Sequence, residues 1–263
     1  MDLGIKGRVA LVTAASKGLG RACAEELARE GCKVAICSRT LAEVERTAQE
    51  ISRSARTEVV PFQTDVSDAA SLAKLMEGVK KKLGDPEILI ANAGGPPPTT
   101  FASAQLEQFD QAYQLTLMSA IRLIQGCVPA MQQRKWGRVV LITSICVKLP
   151  FPNLLLSNVM RSGLTAYMKT LAGELAPHGI TLNAVLPGII ETDRVKQVAA
   201  DRVAKEGVPH QQAVSDMIRS VPMKRLGQPR ELAALAAFLC SDRASFVTGT
   251  STQIDGGLYP GLY

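Results

Sequence analysis

The sequence has few aromatic residues: tryptophan, tyrosine and phenylalanine together make up 4% of its 263 residues. Its core must therefore consist mainly of alanine, leucine, valine and isoleucine. Apolar runs are short as well, and none approaches the ~18 residues that a membrane-spanning helix needs. The apolar run at the N-terminus is too short for a signal peptide and continues directly into a motif. These absences argue against membrane association and favour a soluble, cytoplasmic protein.

Cysteine and positive charge are present, but not in patterns that indicate a metal site or a nucleic-acid surface. None of the six cysteines forms a CxxC motif, and most lie in apolar stretches, so we expect reduced, buried thiols and no metal. The formal net charge is +6, yet no run of five or six basic residues occurs. This argues against nucleic-acid binding. It suits a phosphorylated cofactor or an acidic carrier protein.

Apolar runs of strand length alternate with helical patterns along the chain. Helices are expected at about 20–30, at 41–56 after a Thr40–Glu43 capping box, from a Ser67 cap to about 83, and at 105–132 and 154–176. Strands linked by crossover helices predict an α/β fold with a doubly wound, mainly parallel sheet. The seven strands are predicted at 8–13, 33–37, 59–63, 88–91, 138–143, 181–186 and 253–255.

No linker, repeat or low-complexity tract interrupts this order, so residues 1–263 are predicted to form one Rossmann-type domain. The irregular insertion at 189–225 is polar and is predicted to be a helical lid over a substrate.

A glycine-rich turn follows the first strand and reads Thr13-Ala-Ala-Ser-Lys-Gly-Leu-Gly20. A strand that ends in such a turn and opens a helix directs backbone N–H groups and the positive helix end at an anion. The spacing is that of TGxxxGxG, but Ala14 stands at the first glycine. Alanine is a small change there unless the residue needs a positive φ, where it would be strained. The predicted cofactor contacts in the turn are Thr13, Ser16, Lys17, Gly18, Leu19 and Gly20.

The second strand ends in Ser38 and Arg39. Folds that select NAD(H) place an acidic side chain here to hold the ribose 2′-hydroxyl, and Ser38 lacks one. Arg39 and Lys17 can instead supply positive charge to a 2′-phosphate. The alternative is that both cations are solvated surface residues. We therefore favour NADP(H) over NAD(H).

Five segments, in order and at suitable separations, resemble the short-chain dehydrogenase/reductase family, and within it the β-ketoacyl-acyl-carrier-protein reductases. The resemblance implies an oxidoreductase that reduces a carbonyl to an alcohol, or the reverse, on a small-molecule or thioester substrate. An acidic acyl carrier protein is an implied partner. The segments are VALVTAASKGLG (9–20), TDVSD (64–68), ANAGG (91–95), LNAVLPGIIETD (182–193) and KRLGQPRELAALAAFLCSDRASFVTGTSTQIDGG (224–257).

The resemblance also implies roles for residues outside the glycine turn. Asp65 and Val66 would flank the adenine. The other implied contacts are Asn92, Ala93 and Gly94, which would border the cofactor, and Pro187, Gly188, Ile190 and Thr192, which would hold the nicotinamide carboxamide.

Reductases of this family use an Asn, a Ser and the Tyr and Lys of a YxxxK motif. The tyrosine gives a proton to the substrate oxygen, since a neighbouring ammonium lowers its pKa from ~10. Here Ser144 occupies the serine position, whereas Ser157, Arg161 and Thr116 occupy those of Tyr, Lys and Asn. The one-turn spacing of Ser157 and Arg161 is kept, so both face one side of a helix. Tyr167 and Lys169 are two residues apart and do not restore the pair.

These replacements change the chemistry that the site can perform. An alkyl hydroxyl is a weaker acid than a phenol by several pKa units, each worth ~1.4 kcal/mol, so Ser157 is a poor proton donor. Arg161 stays protonated and can hold a ribose or stabilise an oxyanion. The proton could come from a water between Ser157 and Ser144. It could also come from Lys148 if burial lowered its pKa, although a solvated loop lysine is the simpler interpretation.

Two main functions remain open from the sequence, beside other chemistry such as an elimination that needs no hydride transfer. The first is an NADP(H)-dependent reductase, similar to 3-oxoacyl-acyl-carrier-protein reductases, with an altered proton donor. The second is a catalytically impaired nucleotide-binding protein of the same fold with a regulatory or scaffold role. The helices at 105–132 and 154–176 resemble those that pair across subunits in this family, which implies a homotetramer, with a dimer as the alternative. Arg134, Lys135 and His178 could meet an acidic carrier, although the helix dipole explains cations at helix ends equally well.

Overall fold

Seven strands form one sheet in the computed structural model, which describes residues 2–262 apart from the side chains of Arg194, Asp201, Arg202, Lys205 and Glu206. The strand order is β3-β2-β1-β4-β5-β6-β7, and every pairing is parallel. The predicted doubly wound α/β fold is therefore confirmed. The strands are Val9–Val12 (β1), Lys33–Ser38 (β2), Val59–Gln63 (β3), Ile88–Ala91 (β4), Gly137–Ile142 (β5), Ile180–Pro187 (β6) and Ser251–Ile254 (β7).

Nine α-helices in the described residues connect or follow these strands. Two of them lie within 189–225, so that insertion is helical as predicted, while its role as a lid stays a prediction. The helices are Gly18–Arg29 (α1), Leu41–Ala55 (α2), Ala69–Lys82 (α3), Leu106–Ala112 (α4), Ser119–Arg134 (α5), Leu155–Leu175 (α6), Asp193–Glu206 (α7), His210–Ile218 (α8) and Pro229–Leu239 (α9).

The helices bury both faces of the sheet, because side chains along a strand alternate between its two sides. Ala10 and Val12 of β1 belong to a core with α1, α2 and α9. Val9 and Leu11 belong to a second core with α3, α5 and α6. Both cores are mainly aliphatic, as the low aromatic content predicts. The six cysteines are buried and unpaired, and burial raises the pKa of the Cys23 thiol to about 12.

The helix predicted at 105–132 is not continuous. It consists of α4, a π-helical segment at Tyr113–Met118 and α5. In the π-helix each N–H bonds five residues back rather than four, a change that hydrophobic periodicity does not reveal. Thr116 lies inside this segment. Single-turn π-helices often occur at functional sites, so the correction concerns the site as well as the helix.

Two predicted caps are also wrong. Thr40 precedes α2 but makes no capping hydrogen bond, and Glu43 instead accepts one from the hydroxyl of Ser16 at 3.4 Å. The N-cap of α3 is Asp68, whose carboxylate accepts from the backbone N–H of Ala70 at 2.8 Å. Ser67 instead donates its hydroxyl to Asp65 at 2.7 Å. A carboxylate is the stronger acceptor for helical N–H groups, and here it lies one residue closer to the helix.

Charged side chains close the amino-terminal edge of the sheet. Arg138 is the second residue of β5 and is buried, and its Nε donates to the carbonyl of Ser241 at 3.1 Å. The ring of Trp136 lies between the guanidinium groups of Arg8 and Arg138, whose Cζ atoms are 3.8 and 4.4 Å from its centroid. The indole N–H donates to Asp242 at 2.9 Å. This cluster joins β5 to the segment after α9.

The described residues contain no helix that is long and apolar enough to cross a bilayer. Within the same residues, no group of three or more His, Cys, Asp or Glu side chains is arranged to hold a metal ion.

Replacement of the α3 cap tests its assignment. Asp68→Ala should lower the free energy of unfolding by about 1 kcal/mol, because two first-turn N–H groups lose their acceptor. Ser67→Ala is the matched control and should cost less than half of that. Urea unfolding followed by circular dichroism measures both, and an equal or larger loss for Ser67→Ala would contradict the assignment.

Candidate active site

Most of the predicted cofactor contacts lie at or just after strand ends at the carboxyl-terminal edge of the sheet, while Ser157 and Arg161 lie on α6 and Thr116 lies in the π-helical segment. This edge is where ligands bind in open α/β folds, at the point where the strand order reverses. Here that point lies between β1 and β4, because the chain continues from β1 toward one side of the sheet and from β4 toward the other. The loops after β1 and β4 therefore border a crevice.

Thr13 and Asn92 join these two loops by reciprocal hydrogen bonds. The Thr13 hydroxyl donates to the Asn92 carbonyl at 2.7 Å and accepts from the Asn92 N–H at 3.0 Å. The Asn92 side-chain amide donates to the Ala14 carbonyl at 3.2 Å. Thr13 is fully buried. Both side chains, predicted as cofactor contacts, are thus committed to holding the crevice in shape.

The glycine turn packs closely against this joint. A Cβ at Gly20 would lie 2.5 Å from the Ala14 carbonyl oxygen and 2.8 Å from the Asn92 side-chain nitrogen, so only glycine fits. Helix α1 begins at Gly18, and its first N–H groups have no helical partners. Ala14 has φ of 47°, so the condition for strain at this position is met.

The end of β2 carries no carboxylate. The Ser38 hydroxyl donates to the Thr40 carbonyl at 3.0 Å. Arg39 and Lys17 are exposed, and neither side chain forms a hydrogen bond or ion pair with the described residues. Hydrogen bonds from Ser67 lower the pKa of Asp65, and the charge of Arg39 contributes to the same shift. The region thus offers two unpaired cations.

The loops after β4 and β6 complete the crevice. Gly94 is exposed, and a Cβ there would meet nothing within 4 Å. A Cβ at Gly188 would lie 2.7 Å from Asp255 Cα. The absence of a side chain at Gly188 therefore allows the ends of β6 and β7 to lie close together. The Thr192 methyl lies 3.7 Å from where a Gly18 Cβ would be, which brings the glycine turn next to the start of α7. Three further predicted contacts are placed in these loops: Ala93 and Pro187, which directly follow β4 and end β6, and Ile190, which is buried.

Arg161 is the most enclosed charged group at this edge. Its Nε donates to the Ser157 hydroxyl at 3.1 Å, and its Nη1 donates to the carbonyls of Ile142 and Thr143 at 3.0 and 2.8 Å. Burial lowers the pKa of Arg161 from its ordinary value, but a guanidinium remains protonated at neutral pH. The guanidinium is thus fixed against the end of β5, next to Ser144.

Ser144 and Ser157 do not hydrogen-bond to each other; both contact Cys146. The Ser144 hydroxyl accepts from the Cys146 N–H at 3.2 Å, and the Ser157 hydroxyl lies 3.7 Å from the Cys146 thiol. Sequence reasoning missed Cys146, and its only signal was its position two residues after Ser144. The two predicted hydroxyls are near the same thiol, but Ser157 is turned toward Arg161.

The other candidates differ in their surroundings. Thr116 is 3% exposed, and its hydroxyl has no hydrogen-bond partner in the described residues. Lys148 is half-buried, with its Nζ 5.5 Å from the ring centroid of Tyr259.

Lys169 donates to the Gly249 carbonyl at 3.0 Å, and Tyr167 packs on a core, where burial raises its pKa. Tyr167 and Lys169 are thus structural, as the sequence suggests.

A cavity of about 330 Å³ lies between the 189–225 insertion and the end of β7, and sequence reasoning did not predict it. Its apolar wall includes Ile189, Val221 and Ile254, and Arg225 and Glu231 form an ion pair at its side. Neighbouring apolar residues connect this region to the loop that contains Ser144.

Comparison with known proteins agrees with this geometry. The family described as Enoyl-(Acyl carrier protein) reductase matches residues 13–259. The chain belongs to the short-chain dehydrogenase/reductase family. The NADPH-dependent reductase BacG of Bacillus subtilis is 33% identical over 251 residues, 95% of this chain and 97% of that protein. The 3-oxoacyl-[acyl-carrier-protein] reductase FabG of Escherichia coli is 33% identical over 257 residues, 98% and 99% of the two chains.

Solved structures show the same relationship. L-sorbose reductase from Gluconobacter frateurii, complexed with NADPH and L-sorbose, matches with a TM-score of 0.96 and 31% identity over the whole of both chains. The predicted family is therefore confirmed, and the predicted preference for NADP(H) agrees with the cofactor named for BacG and for the sorbose reductase.

Relief of the strained residue in the glycine turn gives one prediction. Ala14→Gly should raise the free energy of unfolding by about 1 kcal/mol, because glycine tolerates positive φ. Ala15→Gly is the matched control; its φ is not positive and its methyl is buried, so it should destabilise by about 1 kcal/mol. Urea unfolding compares the two, and a loss of stability in Ala14→Gly would show that the turn carries no strain.

Removal of the Ser157 hydroxyl tests its contact with Arg161. Ser157→Ala should lower the free energy of unfolding by about 1–3 kcal/mol, because the Nε–H of Arg161 stays buried without an acceptor. Ser162→Ala, at an exposed position on α6, should change it little. Thermal and urea unfolding measure the difference. Equal stability of the two variants would mean that Ser157 does not hold Arg161.

Proposed function

We propose that the chain is an NADP(H)-dependent reductase that converts a carbonyl to an alcohol, or the reverse. The observation that carries this proposal is the intact crevice between β1 and β4. The hydrogen bonds between Thr13 and Asn92 set its shape. A side chain at Gly20 would collide with the Ala14 carbonyl and the Asn92 side chain. In the glycine turn only Ala14 departs from the expected pattern, whereas Ser157, Arg161 and Thr116 depart from it at the proton-transfer end.

The residues at the crevice fit a dinucleotide with a 2′-phosphate, which when bound would supply the hydride. Backbone N–H groups at the start of α1 would hold the pyrophosphate, with Ser16 at the same turn. Arg39 and Lys17, whose side chains form no hydrogen bond or ion pair with the described residues, would neutralise the 2′-phosphate beside Ser38. Asp65 and Val66 would border the adenine, and Asn92, Ala93 and Gly94 the adjoining ribose. The carboxamide end would lie against Pro187, Gly188, Ile190 and Thr192.

Ser144 and Arg161 would act on the substrate. The Ser144 hydroxyl is half-exposed and can donate to a carbonyl oxygen, since it only accepts from Cys146. Arg161 contributes positive charge beside that oxygen, where negative charge develops. Ser157 lies between Arg161 and Cys146 and serves as a positioning residue. The side chains of Thr116 and Lys148 form no hydrogen bond with Ser144, Ser157 or Arg161 among the described residues, and the proposed proton donor is a solvent water.

The proposal also includes a substrate class and an oligomeric state. We place the substrate among small-molecule carbonyls and 3-oxoacyl thioesters, as in FabG-like reductases, with an acidic acyl carrier protein as the partner for the thioesters. Exposed apolar side chains at Leu106, Tyr113 and Val159 suit burial against another subunit, which supports a homotetramer or a dimer.

A nucleotide-binding regulatory protein is the second candidate, because no phenol is paired with the cation at 161. Two measurements separate the candidates: calorimetric titration with NADPH, and NADPH oxidation with acetoacetyl thioesters and a panel of ketones. Binding together with substrate-dependent oxidation supports a reductase. Binding without oxidation on any carbonyl supports the regulatory role.

The cofactor preference is tested at Arg39. Arg39→Gln should weaken NADPH binding by about tenfold or more and leave NADH binding unchanged, because a charge-assisted contact to phosphate is lost. Arg53→Gln removes an equal charge from the surface of α2 and should match the unaltered protein. Calorimetry measures all three. Equal weakening of NADPH and NADH would contradict a phosphate-binding role.

The proton donor is tested by restoring the family pair. Ser157→Tyr with Arg161→Lys should raise kcat for carbonyl reduction by about tenfold or more, because a positioned general acid contributes 10²–10⁴-fold in enzymes. The control is Ser157→Phe with Arg161→Lys, which has the ring without the hydroxyl and should show no rise. NADPH oxidation measures both. No gain on any carbonyl would refute this view of the site.

A further inference from the structure

Among the described residues, Arg161 is a buried cation without a carboxylate counter-ion. It is 8% exposed, and it forms no ion pair with a carboxylate in the part of the chain that the structure describes. Its acceptors are two neutral carbonyls and the Ser157 hydroxyl. A buried charge is costly unless an opposite charge or acceptors compensate it. A tyrosine at 157 could ionise and balance the charge, whereas a serine cannot.

One end of the guanidinium is still available for a ligand. Nε and Nη1 donate to protein acceptors. Nη2 makes no hydrogen bond to any side chain or backbone group that the structure describes, and it is not among the fully buried unpaired atoms. It lies 4.0 Å from where a Cβ of Gly95 would be, on the loop after β4. Two N–H donors therefore point from a rigid base toward the space between the loops after β4 and β5.

The guanidinium lies beside the residue that would hold the reacting carbonyl. Nη1 is 2.8 Å from the carbonyl of Thr143, and Ser144 is the next residue. Consecutive Cα atoms are about 3.8 Å apart. A ligand that accepts from both Ser144 and Arg161 must therefore place its two acceptors within a short distance of each other.

We propose that Arg161 is a specificity-determining residue that binds a carboxylate of the substrate, and that the substrates are short oxo acids with the carboxylate one or two carbons from the reacting carbonyl. This inference rests on the proposed reductase function and narrows its substrate class. A carboxylate supplies the missing negative charge and is planar, which suits a guanidinium. Neutral ribose hydroxyls could accept from Nη2 but would leave the charge unbalanced.

The test compares one carbonyl with and without the charge: acetoacetate and methyl acetoacetate as substrates in NADPH oxidation. Acetoacetate should have the higher kcat/KM by about tenfold or more, mainly through a lower KM, because a charge-assisted contact is worth that much. Arg161→Gln should reduce this ratio to near one. Arg161→Lys keeps the charge and should keep part of the preference. Lys148→Gln, a nearby cation, should leave the ratio unchanged.

A binding measurement separates this inference from the reductase proposal. The protein saturated with NADPH is titrated calorimetrically with 3-hydroxybutyrate and with its methyl ester, which need no turnover. Tighter binding of the acid that is lost in Arg161→Gln supports the carboxylate site, even if no ketone is reduced. Equal binding of acid and ester, or an unchanged preference in Arg161→Gln, overturns it. If the ester is also reduced as fast as the acid, the reductase proposal stands and the carboxylate site fails alone.

Discussion

The reciprocal hydrogen bonds between Thr13 and Asn92 join the two halves of the sheet at its carboxyl-terminal edge. The loops after β1 and β4 depart in opposite directions, and this contact sets the width of the crevice between them. It also fixes the Ala14 carbonyl, against which Gly20 must pack without a side chain. The start of α1, and with it the proposed phosphate site, is placed by this contact. The strain at Ala14 is tolerated because the surrounding bonds allow no other backbone conformation.

Much of the fold follows from the sequence because buried parallel strands and amphipathic helices have distinct periodicities. Every strand was predicted within a few residues, and the glycine turn was located correctly. The π-helix at Tyr113–Met118 was not predicted, since it shifts the register by one residue without changing composition. The choice of Asp68 over Ser67 as a cap depends on backbone direction at the helix start. The pattern of apolar residues indicates neither the π-helix nor the cap.

The site was predictable in position but not in its hydrogen bonds. The spacing of Ser157 and Arg161 implies that they face one side of α6, and they do contact each other. The partners that immobilise the guanidinium are carbonyls at the end of β5, which no side-chain motif encodes. The same contacts turn Ser157 away from Ser144. The site therefore carries a buried, permanently charged guanidinium that is held by neutral acceptors.

The single tryptophan stands at the edge of the sheet opposite these loops. Its indole is enclosed between Arg8 and Arg138 and anchored on Asp242. The six residues of β5 separate it from the loop at Ser144 by roughly 20 Å. Its intrinsic emission therefore reports whether β5 remains docked to the segment after α9. It is a spectroscopic probe of global unfolding that is built into the chain and is spatially separate from events at the crevice.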